Sequence, residues 1–523
     1  MKRSLTLTGI TVNGMALIAP GAVLWTTFQL QAAQTVSGKS TGLDMWPGLA
    51  FALVLALLTA YSYSELARVY PDAGTGSSYY FAEAALLEKE KPTHRAWART
   101  AKLSVGWISH LYYWLYPAIM VGFMGTLFGY IYATVFHHTL TYIPQAAAAV
   151  VLACICGYIA YRGVSGSTMA SIIINVIQIT CLVAISILFI VYRLGHASEV
   201  WTFTNAAKVI VPHSFIGLVG QVTIAILLLV GFESVTALGA EAINPETDIK
   251  KGVLLSLIIQ GGVCYLFEYF ATNFANGNTT ATWTVPASGS TPATTLHGFA
   301  ASALDPAPIA TMLNNITHTT AVPLLVAVTV LIALLGTTLA CLNTGVRVTY
   351  SMAKDKEMPG VLSLLHGRFA TPHGGIIILT AISAAIGVYC ATPYQTDNIT
   401  QITVASNSGT FLVYGFTCVI AIVAFAHRHD KHLLKHYAIP GIGSLMNLAA
   451  LFGVLYLAVK AGGNTSKDAY KSMAIVGAWI VLGVIWVMVN PAMRGKKLRH
   501  DPGRRSVVDV TSSTTPAPSP VEV

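Results

Sequence analysis

Long apolar stretches with few charges dominate the hydrophobic pattern of this 523-residue chain. Runs such as VLALLTAYSYSEL and IIINVIQITCLVAISILFIVY are continuous, whereas a transmembrane β-barrel has short alternating segments. A membrane-spanning helix needs about 20 apolar residues. The pattern predicts an all-α polytopic membrane protein with 12 transmembrane helices, at 5–31, 46–67, 105–136, 145–161, 168–193, 213–241, 251–275, 321–350, 375–391, 402–426, 438–460 and 473–491.

Composition and charge agree with lipid as the solvent of this chain. Hydrophobic residues make up 54% and charged residues 10%, whereas a soluble domain has about 25% charged residues. The net charge of +9 is explained by basic loops, so we expect a lipid bilayer and no nucleic acid as partner. The seven cysteines all fall in predicted spans and form neither a disulfide framework nor a zinc pattern, so no cofactor or metal is expected.

The distribution of Lys and Arg predicts the orientation. If both termini are cytoplasmic, only six of the 30 Lys and Arg residues fall outside, as the positive-inside rule requires. The long predicted outer loop, about 276–320, contains no Lys or Arg. We therefore expect an integral protein of the plasma (inner) membrane with both termini cytoplasmic.

Two predicted spans contain glycine and proline in mid-membrane, where a break leaves backbone groups that only protein or a polar cavity can satisfy. The first span reads TLTGITVNGMALIAPGAVLWTTF and the sixth reads LLLVGFESVTALGAEA. Discontinuous helices 1 and 6, five spans apart, are typical of transporters built as a 5+5 inverted repeat.

This interpretation divides the chain into four regions. Residues 1–200 are predicted to be the first five-helix repeat, and 201–427 the second, inverted repeat. Residues 428–493 hold the last two spans, and 494–523 form a Pro- and Ser-rich tail that we expect to be disordered.

Paired helix breaks favour a zwitterionic ligand. A half-helix N-terminus presents free N–H groups and a partial positive charge, and a half-helix C-terminus presents carbonyls and the opposite sign. Two antiparallel breaks supply both signs side by side. An amino acid, with its carboxylate and ammonium on one carbon, suits such a site.

Glu233 lies inside the sixth span, where a carboxylate costs about 2.5–3.5 kcal/mol and is usually functional. One hypothesis makes it a proton-coupling group that is protonated in one conformation and ionised in another. The other makes it a neutral acid that caps backbone donors of the broken helix. The two hypotheses are compatible.

Further polar residues in the spans are weaker candidates. His110 is either a proton or substrate group or a packing hydrogen-bonder, and Tyr113 and Tyr116 could form an aromatic wall for an ammonium. Asn407 and Ser408 at the start of span ten, with Tyr414 beyond them, line the pathway or cap the helix. Two other acids have plainer interpretations. For Glu241 we favour gate or inner-loop packing, and for Glu268 we favour a wetted surface position over a cation-attracting role in an outer vestibule.

Three motifs resemble signatures of the amino acid–polyamine–organocation superfamily of secondary transporters. They are YSELARVYPDAGTGSSYYFAEA after span two, GFESVTALGAEAINPETDIKKG in span six and NTGVRVTYSMAKDKEMPGVLSLLHGRFATPHGG after span eight. The resemblance implies a LeuT-type fold and proton-coupled uptake or exchange of amino acids or amines. The first span departs from the family's common G-S-G, since it reads ALIAPGA, and is more similar to the branch with polyamine importers. Some members carry a lysine in span five in place of a structural sodium, and Gln178 is the nearest polar group there.

The candidate site combines both breaks and the walls that face them. The expected proton-coupling residues are Glu233, Gln178 and His110. The expected substrate-binding residues are Ala16, Ile18, Ala19, Pro20, Gly21, Tyr113, Tyr116, Val230, Gly231, Phe232, Ser408 and Tyr414.

The favoured function is a permease that moves amino acids by alternating access, by proton coupling or exchange. Neutral amino acids are favoured, because no Lys or Arg lies mid-span to meet an acidic substrate and a cationic one should meet more than one buried acid. The alternatives are a polyamine or monoamine importer and, in a different class, a transporter-like nutrient sensor. The sequence contains no catalytic constellation, so no enzyme activity is expected.

Overall fold

The computed structural model describes residues 5–18, 20–71, 76–88, 96–163, 167–196, 203–239, 241–276, 281–285, 293–369, 371–392, 395–426 and 428–489. The tail predicted to be disordered, 494–523, lies outside these residues.

Helices account for nearly all of the described chain. Those before the sixth span are α1 (Leu7–Ile18), α2 (Pro20–Ala33), α3 (Met45–Val69), α4 (Ser78–Leu87), α5 (Ala96–Phe136), α6 (Tyr142–Arg162), α7 (Ser167–Gly195) and α8 (Phe203–Ile210). The sixth and seventh spans contain α9 (Phe215–Ala225) and α10 (Pro245–Asn276). The remaining helices are α11 (Gly298–Leu304), α12 (Pro308–Thr317), α13 (Ala321–Lys354), α14 (His373–Cys390), α15 (Gln395–Phe425), α16 (Ile439–Lys460) and α17 (Gly463–Val489).

Eleven helical segments in the described part of the chain are long and apolar enough to cross a membrane. They correspond to predicted spans two to twelve, so the prediction of an all-helical membrane protein is confirmed. The first predicted span is described as two shorter helices, α1 and α2, on either side of Ala19. The count of 12 spans and the inverted repeat stay predictions.

Short helical turns of other types complete the chain. There are 3-10 turns at Gly42–Asp44, Ile226–Leu228, Phe232–Leu238 and Gly360–Ser363, and a π turn at Leu433–Ala438. The sixth span is therefore α-helical only in its first half, and a tighter helix follows its break.

One end of the bundle carries two antiparallel hairpins. Strand β1 (Thr35–Val36) pairs with β2 (Lys39–Ser40), and β3 (Thr282–Val285) pairs with β4 (Thr294–His297). The small helices α11 and α12 lie in the same predicted outer loop as the second hairpin. We call this end the outer end, and the opposite end, where α4 lies, the inner end.

The centre of the bundle is built around the two interrupted spans. Helix α10 packs against α1 and α3, and α5 packs against α13, α14 and α15. Many large apolar side chains of α16 and α17 are exposed on the bundle surface, as in Phe452 and Met488. Such an apolar surface is suited to contact with lipid.

Candidate functional site

The described part of the first span consists of α1, which extends to Ile18, and α2, which begins at Pro20. Because Pro20 has no N–H, it cannot close the helical hydrogen bond to the Ala16 carbonyl, and we call this point the break of the first span. The last carbonyls of a helix have no partner within it. Here Gln260 of α10 donates its side-chain amide to the Met15 carbonyl at 3.3 Å, and the Thr337 hydroxyl of α13 lies 3.3 Å from the Ala16 carbonyl oxygen. Side chains from two neighbouring spans therefore hold the broken end of the first span.

Asn175 of α7 extends this polar cluster. Its side-chain amide donates to the Val12 carbonyl at 3.3 Å, and its oxygen accepts from Gln260 at 2.7 Å. Asn175 and Gln260 are buried, as is Thr337. These residues were not among our sequence-based candidates, although a polar side chain within an apolar span is itself a signal of function.

The break of the sixth span depends on Gly231. Its φ of +126° lies in a region that only glycine adopts readily. A Cβ at this position would lie 3.0 Å from the carbonyl carbon of Leu17. The two breaks are therefore in direct contact, and glycine allows both the backbone angle and the close approach.

Side chains from spans three and ten satisfy carbonyls of the sixth span. Tyr116 donates its hydroxyl to the Leu227 carbonyl at 3.2 Å, and Asn407 donates its amide to the Thr223 carbonyl at 2.6 Å. The 3-10 turn and the break that follows it are thus fixed by the neighbouring helices. Tyr116 supports the backbone of the break through this bond.

Glu233 lies immediately after the break and is buried. Its Oε2 accepts one hydrogen bond from the Gly231 N–H at 3.1 Å and another from the Tyr414 hydroxyl at 2.7 Å. Its Oε1 has no hydrogen-bond partner, and neither oxygen forms an ion pair, among the described residues. This geometry is that of an acid that caps a broken helix and retains one oxygen for a further partner.

An aromatic cluster surrounds this carboxyl. The rings of Tyr63, Phe232 and Tyr414 pack with centroids 5.2 to 6.0 Å apart. Tyr112 and Tyr113 of α5 lie within electrostatic reach of Glu233. The predicted wall of span three therefore faces the predicted acid of span six.

Other predicted residues lie in more local surroundings. The ring nitrogens of His110 contact the Gly106 carbonyl at 2.7 Å and the Thr349 hydroxyl at 2.9 Å. Ser408 donates to the Val404 carbonyl of its own helix. The amide of Gln178 has no hydrogen-bond partner in the described chain, and its side chain faces a small apolar cavity beside Trp25.

The remaining predicted residues belong to the breaks themselves. Ala16, Ile18, Val230 and Phe232 are buried there. Pro20 and Gly21 begin α2, and Ala19 lies outside the described residues. A proline at the first position of a helix costs no hydrogen bond, because the N–H of that residue has no partner within the helix.

The inner side of the site is closed by hydroxyl contacts from α4 and its start. Ser77 and Thr236 share a hydrogen bond of 2.7 Å, which joins the start of α4 to the 3-10 helix of span six. Ser78 contacts Tyr63 at 2.5 Å and Thr417 at 3.0 Å. The motif after span two therefore contacts three of the elements around the site.

Two acids outside the centre, Glu241 and Glu268, have different surroundings. Glu241 pairs with Arg347 at 3.0 Å, which links the inner ends of spans six and eight. The expectation that Glu268 is a wetted surface residue is wrong, because its side chain is fully buried. It lies on the face of α10 that meets α2, and Gln31 of that helix donates to it at 2.9 Å.

A cavity of about 730 Å³, which we call the outer vestibule, lies at the outer end of the bundle. It reaches Thr223, the residue whose carbonyl accepts a hydrogen bond from Asn407. Its wall includes two acids, Asp397 and Asp468, and the residues that follow α2, Gln34 and Thr35. Thr223 connects this vestibule to the outer half of the sixth span, whereas side-chain contacts close the inner side.

The fold and this site define an integral membrane protein with paired interrupted helices, the arrangement of secondary transporters. The amino acid permease family model matches residues 21–498. The chain belongs to the amino acid permease family.

Several characterised transporters are similar to this chain. A branched-chain amino acid permease, BcaP of Bacillus subtilis, is 23% identical over 84% of this chain and 84% of its own length. The low-affinity putrescine importer PlaP of Escherichia coli is 26% identical over 52% of this chain and 53% of its own length. The methylthioribose transporter of Bacillus subtilis is 22% identical over 76% of this chain and 77% of its own length.

Proposed function

We propose that this permease is a secondary active transporter that moves neutral amino acids by alternating access, with proton coupling or exchange. The observation that carries the proposal is the contact between the two helix breaks beside Glu233. Gly231 lies against Leu17, and Oε1 of the carboxyl that caps Gly231 accepts no hydrogen bond within the described part of the chain. The carbonyl end of α1, the Gly231 N–H and one acid thus meet in the buried interior of the bundle.

The charges around the site favour a substrate without net charge. Glu233 forms no ion pair in the described chain, and its present partners are a backbone N–H and a phenol. Tyr63, Phe232 and Tyr414 supply an aromatic surface for an apolar side chain. The branched-chain amino acid permease among the relatives is in keeping with such a substrate.

An amine is the second candidate, and a specific observation favours it. The outer vestibule is lined by Asp397 and Asp468, and acids there attract cations toward the entrance. The relative that imports putrescine supports the same alternative. In that case Glu233 would be the counter-ion of the substrate.

The proposed cycle uses the contacts at both ends of the site. Substrate enters through the outer vestibule and reaches the breaks past Thr223. Closure of the outer halves and release of the Ser77–Thr236 and Ser78–Tyr63 contacts would then open the inner side. Glu233 would gain or lose a proton as its surroundings change, because desolvation disfavours its charged form.

The remaining parts of the proposal concern placement and activity. We infer a plasma-membrane protein with cytoplasmic termini, two inverted five-helix repeats and no enzymatic activity. The distribution of Lys and Arg supports the orientation.

Thermal stabilisation of the detergent-purified protein tests the substrate class. We expect apolar amino acids to raise Tm, at about pH 5.5 and about pH 7.5 without sodium, because ligand bound to the native state stabilises it. In Glu233→Gln the pH dependence of this shift should disappear while the protein still folds. Stabilisation by diamines alone would contradict the neutral substrate and favour the amine importer.

A matched variant separates the role of Glu233 from a general loss of charge. Glu246→Gln changes an exposed acid at the inner end of α10, and we expect it to leave the ligand-induced shift unchanged. Uptake of the stabilising ligand into proteoliposomes should then require the proton gradient or an exchanging amino acid inside.

A further inference from the structure

One face of α10 carries a line of buried polar residues that the proposed transport site uses only in part. Residues spaced four apart lie on one face of a helix, and this face holds Ser256, Gln260, Cys264, Glu268 and Thr272, all fully buried. Gln260 holds the broken end of α1. Glu268, two turns away toward the outer end, meets α2 instead.

Glu268 has one hydrogen-bond partner in the described chain. The side-chain amide of Gln31 donates to its Oε1 at 2.9 Å, whereas Oε2 has no partner. The amide oxygen of Gln31 is also buried, and it has no hydrogen-bond partner among the residues that the structure describes. Two acceptor oxygens, one on each member of the pair, are therefore unsatisfied.

No cation balances Glu268 in the described chain. Helices α1, α2, α11 and α12, which pack against α10, have no ionisable side chain. On the other neighbouring elements the charged groups have other partners or surroundings. Glu65 and Arg68 pair with each other at the inner end, and Glu233 bonds to Tyr414. Asp44 accepts a hydrogen bond from the His213 backbone N–H, Arg193 interacts with Tyr269, and Lys208 is exposed. Near Glu268 on α10 itself, the ionisable groups are Cys264, Tyr265 and Tyr269, and none of these side chains can carry a positive charge.

A single proton on the Glu268 carboxyl would give both of these oxygens a hydrogen-bond partner. A protonated carboxyl is a donor as well as an acceptor, so the Oε2–H of Glu268 can donate to the amide oxygen of Gln31. The alternative is an ionised carboxylate, buried without a cation, which is far more costly than a buried neutral acid. We propose that Glu268 is a second proton-binding site, separate from Glu233, that holds its proton while it is paired with Gln31.

The position of Gln31 links this proton to the outer half of the first span. The Gln31 carbonyl accepts from Gln221 of α9 at 2.8 Å, and Gln221 also donates to the Thr41 hydroxyl oxygen at 2.9 Å. The outer halves of the first and sixth spans are thus joined, and Glu268 attaches them to α10. If α2 moves away and water reaches Glu268, the O–H bond breaks, the electron pair stays on the carboxylate and the proton passes to water.

Infrared spectroscopy of the full-length protein in proteoliposomes tests the protonation state directly. At about pH 7 exposed carboxyls are ionised, because their ordinary pKa is about 4. The difference spectrum between wild type and Glu268→Gln should show the loss of one carboxylic-acid C=O band. An amide at this position keeps a partner for Gln31, so we expect the variant to fold. The exposed control Glu246→Gln should lose only a carboxylate band.

A second variant tests the pairing. Gln31→Leu removes both hydrogen bonds, so the acid band of Glu268 should move to higher frequency if the carboxyl is protonated. Loss of a carboxylate band in Glu268→Gln would overturn the proposal. So would a sodium-induced spectral change that the wild type shows and this variant lacks, since Glu268 would then bind a metal cation. None of these outcomes depends on which substrate is transported.

Discussion

At the scale of single residues, the Tyr414 hydroxyl is the group that determines how Glu233 is held. It donates the shorter of the two hydrogen bonds that Glu233 accepts, at 2.7 Å. A hydrogen bond to a charged group is worth about 1.5–3 kcal/mol, and one between neutral groups about 1 kcal/mol. We therefore expect Tyr414→Phe to lower substrate affinity by about tenfold to a hundredfold wherever binding requires the ionised carboxylate of Glu233.

The measurement is the substrate affinity of Tyr414→Phe relative to wild type over a range of pH. We expect the loss of affinity to be largest at high pH, where Glu233 is ionised. Tyr116→Phe is the matched control, because its hydroxyl bonds to the neutral Leu227 carbonyl. We expect that control to lose less than about tenfold at every pH. Equal, pH-independent losses in both variants would mean that Tyr414 only packs against the site.

At the scale of elements, the contact between the two breaks makes a prediction about Gly231. An alanine there would have to adopt a φ of +126° with its Cβ 3.0 Å from the Leu17 backbone. Strained angles of this kind cost about 1–3 kcal/mol each, and the steric conflict pushes the two spans apart. We expect Gly231→Ala to abolish transport in proteoliposomes while insertion and expression are retained.

Gly262→Ala provides the control, since a Cβ at Gly262 of α10 has nothing within 4 Å. Alanine in a helix interior is more stable than glycine by about 0.5–1 kcal/mol, so this variant should transport normally and unfold at the same or a higher Tm. Normal transport by Gly231→Ala would show that the breaks need not touch during the cycle.

At the scale of the whole molecule, the apolar runs were sufficient to predict spans two to twelve, because lipid requires each span to satisfy its own backbone. The glycine and proline positions likewise indicated both interruptions. The partners of the breaks were not predictable in the same way. Asn175 and Gln260 meet the first span only through tertiary packing, and Gln178 is equally polar and lies one turn away. The burial of Glu268 depends on α2, whose position no local pattern determines.

The inner end of the molecule is held by a buried ionic network that joins α4, α5 and the loop after α13. Lys102 pairs with Glu83 and Asp355, and the Tyr79 hydroxyl lies within hydrogen-bonding distance of both Asp355, at 3.1 Å, and Glu357, at 2.8 Å. Burial raises the pKa of the Glu357 carboxyl to about 7, although Lys102 opposes this shift. The network therefore makes the stability of the inner end depend on pH.

The sign of that dependence follows from the two states of Glu357. An unfolded glutamate has a pKa of about 4.3, so between about pH 4 and pH 7 the folded protein binds more protons than the unfolded chain. Stability should fall as pH rises through this window and level off above it, by at most about 4 kcal/mol, because each unit of pKa difference is worth about 1.4 kcal/mol. Glu357→Gln cannot lose a proton, so the fall in Tm between about pH 5 and about pH 8 should be smaller in this variant than in wild type. Glu246→Gln, at an exposed site, should reproduce the wild-type curve. If Glu357→Gln reproduced it too, the protonation of Glu357 would not contribute to the stability of the closed inner end, and the ion pairs of Lys102 would hold that end at every pH.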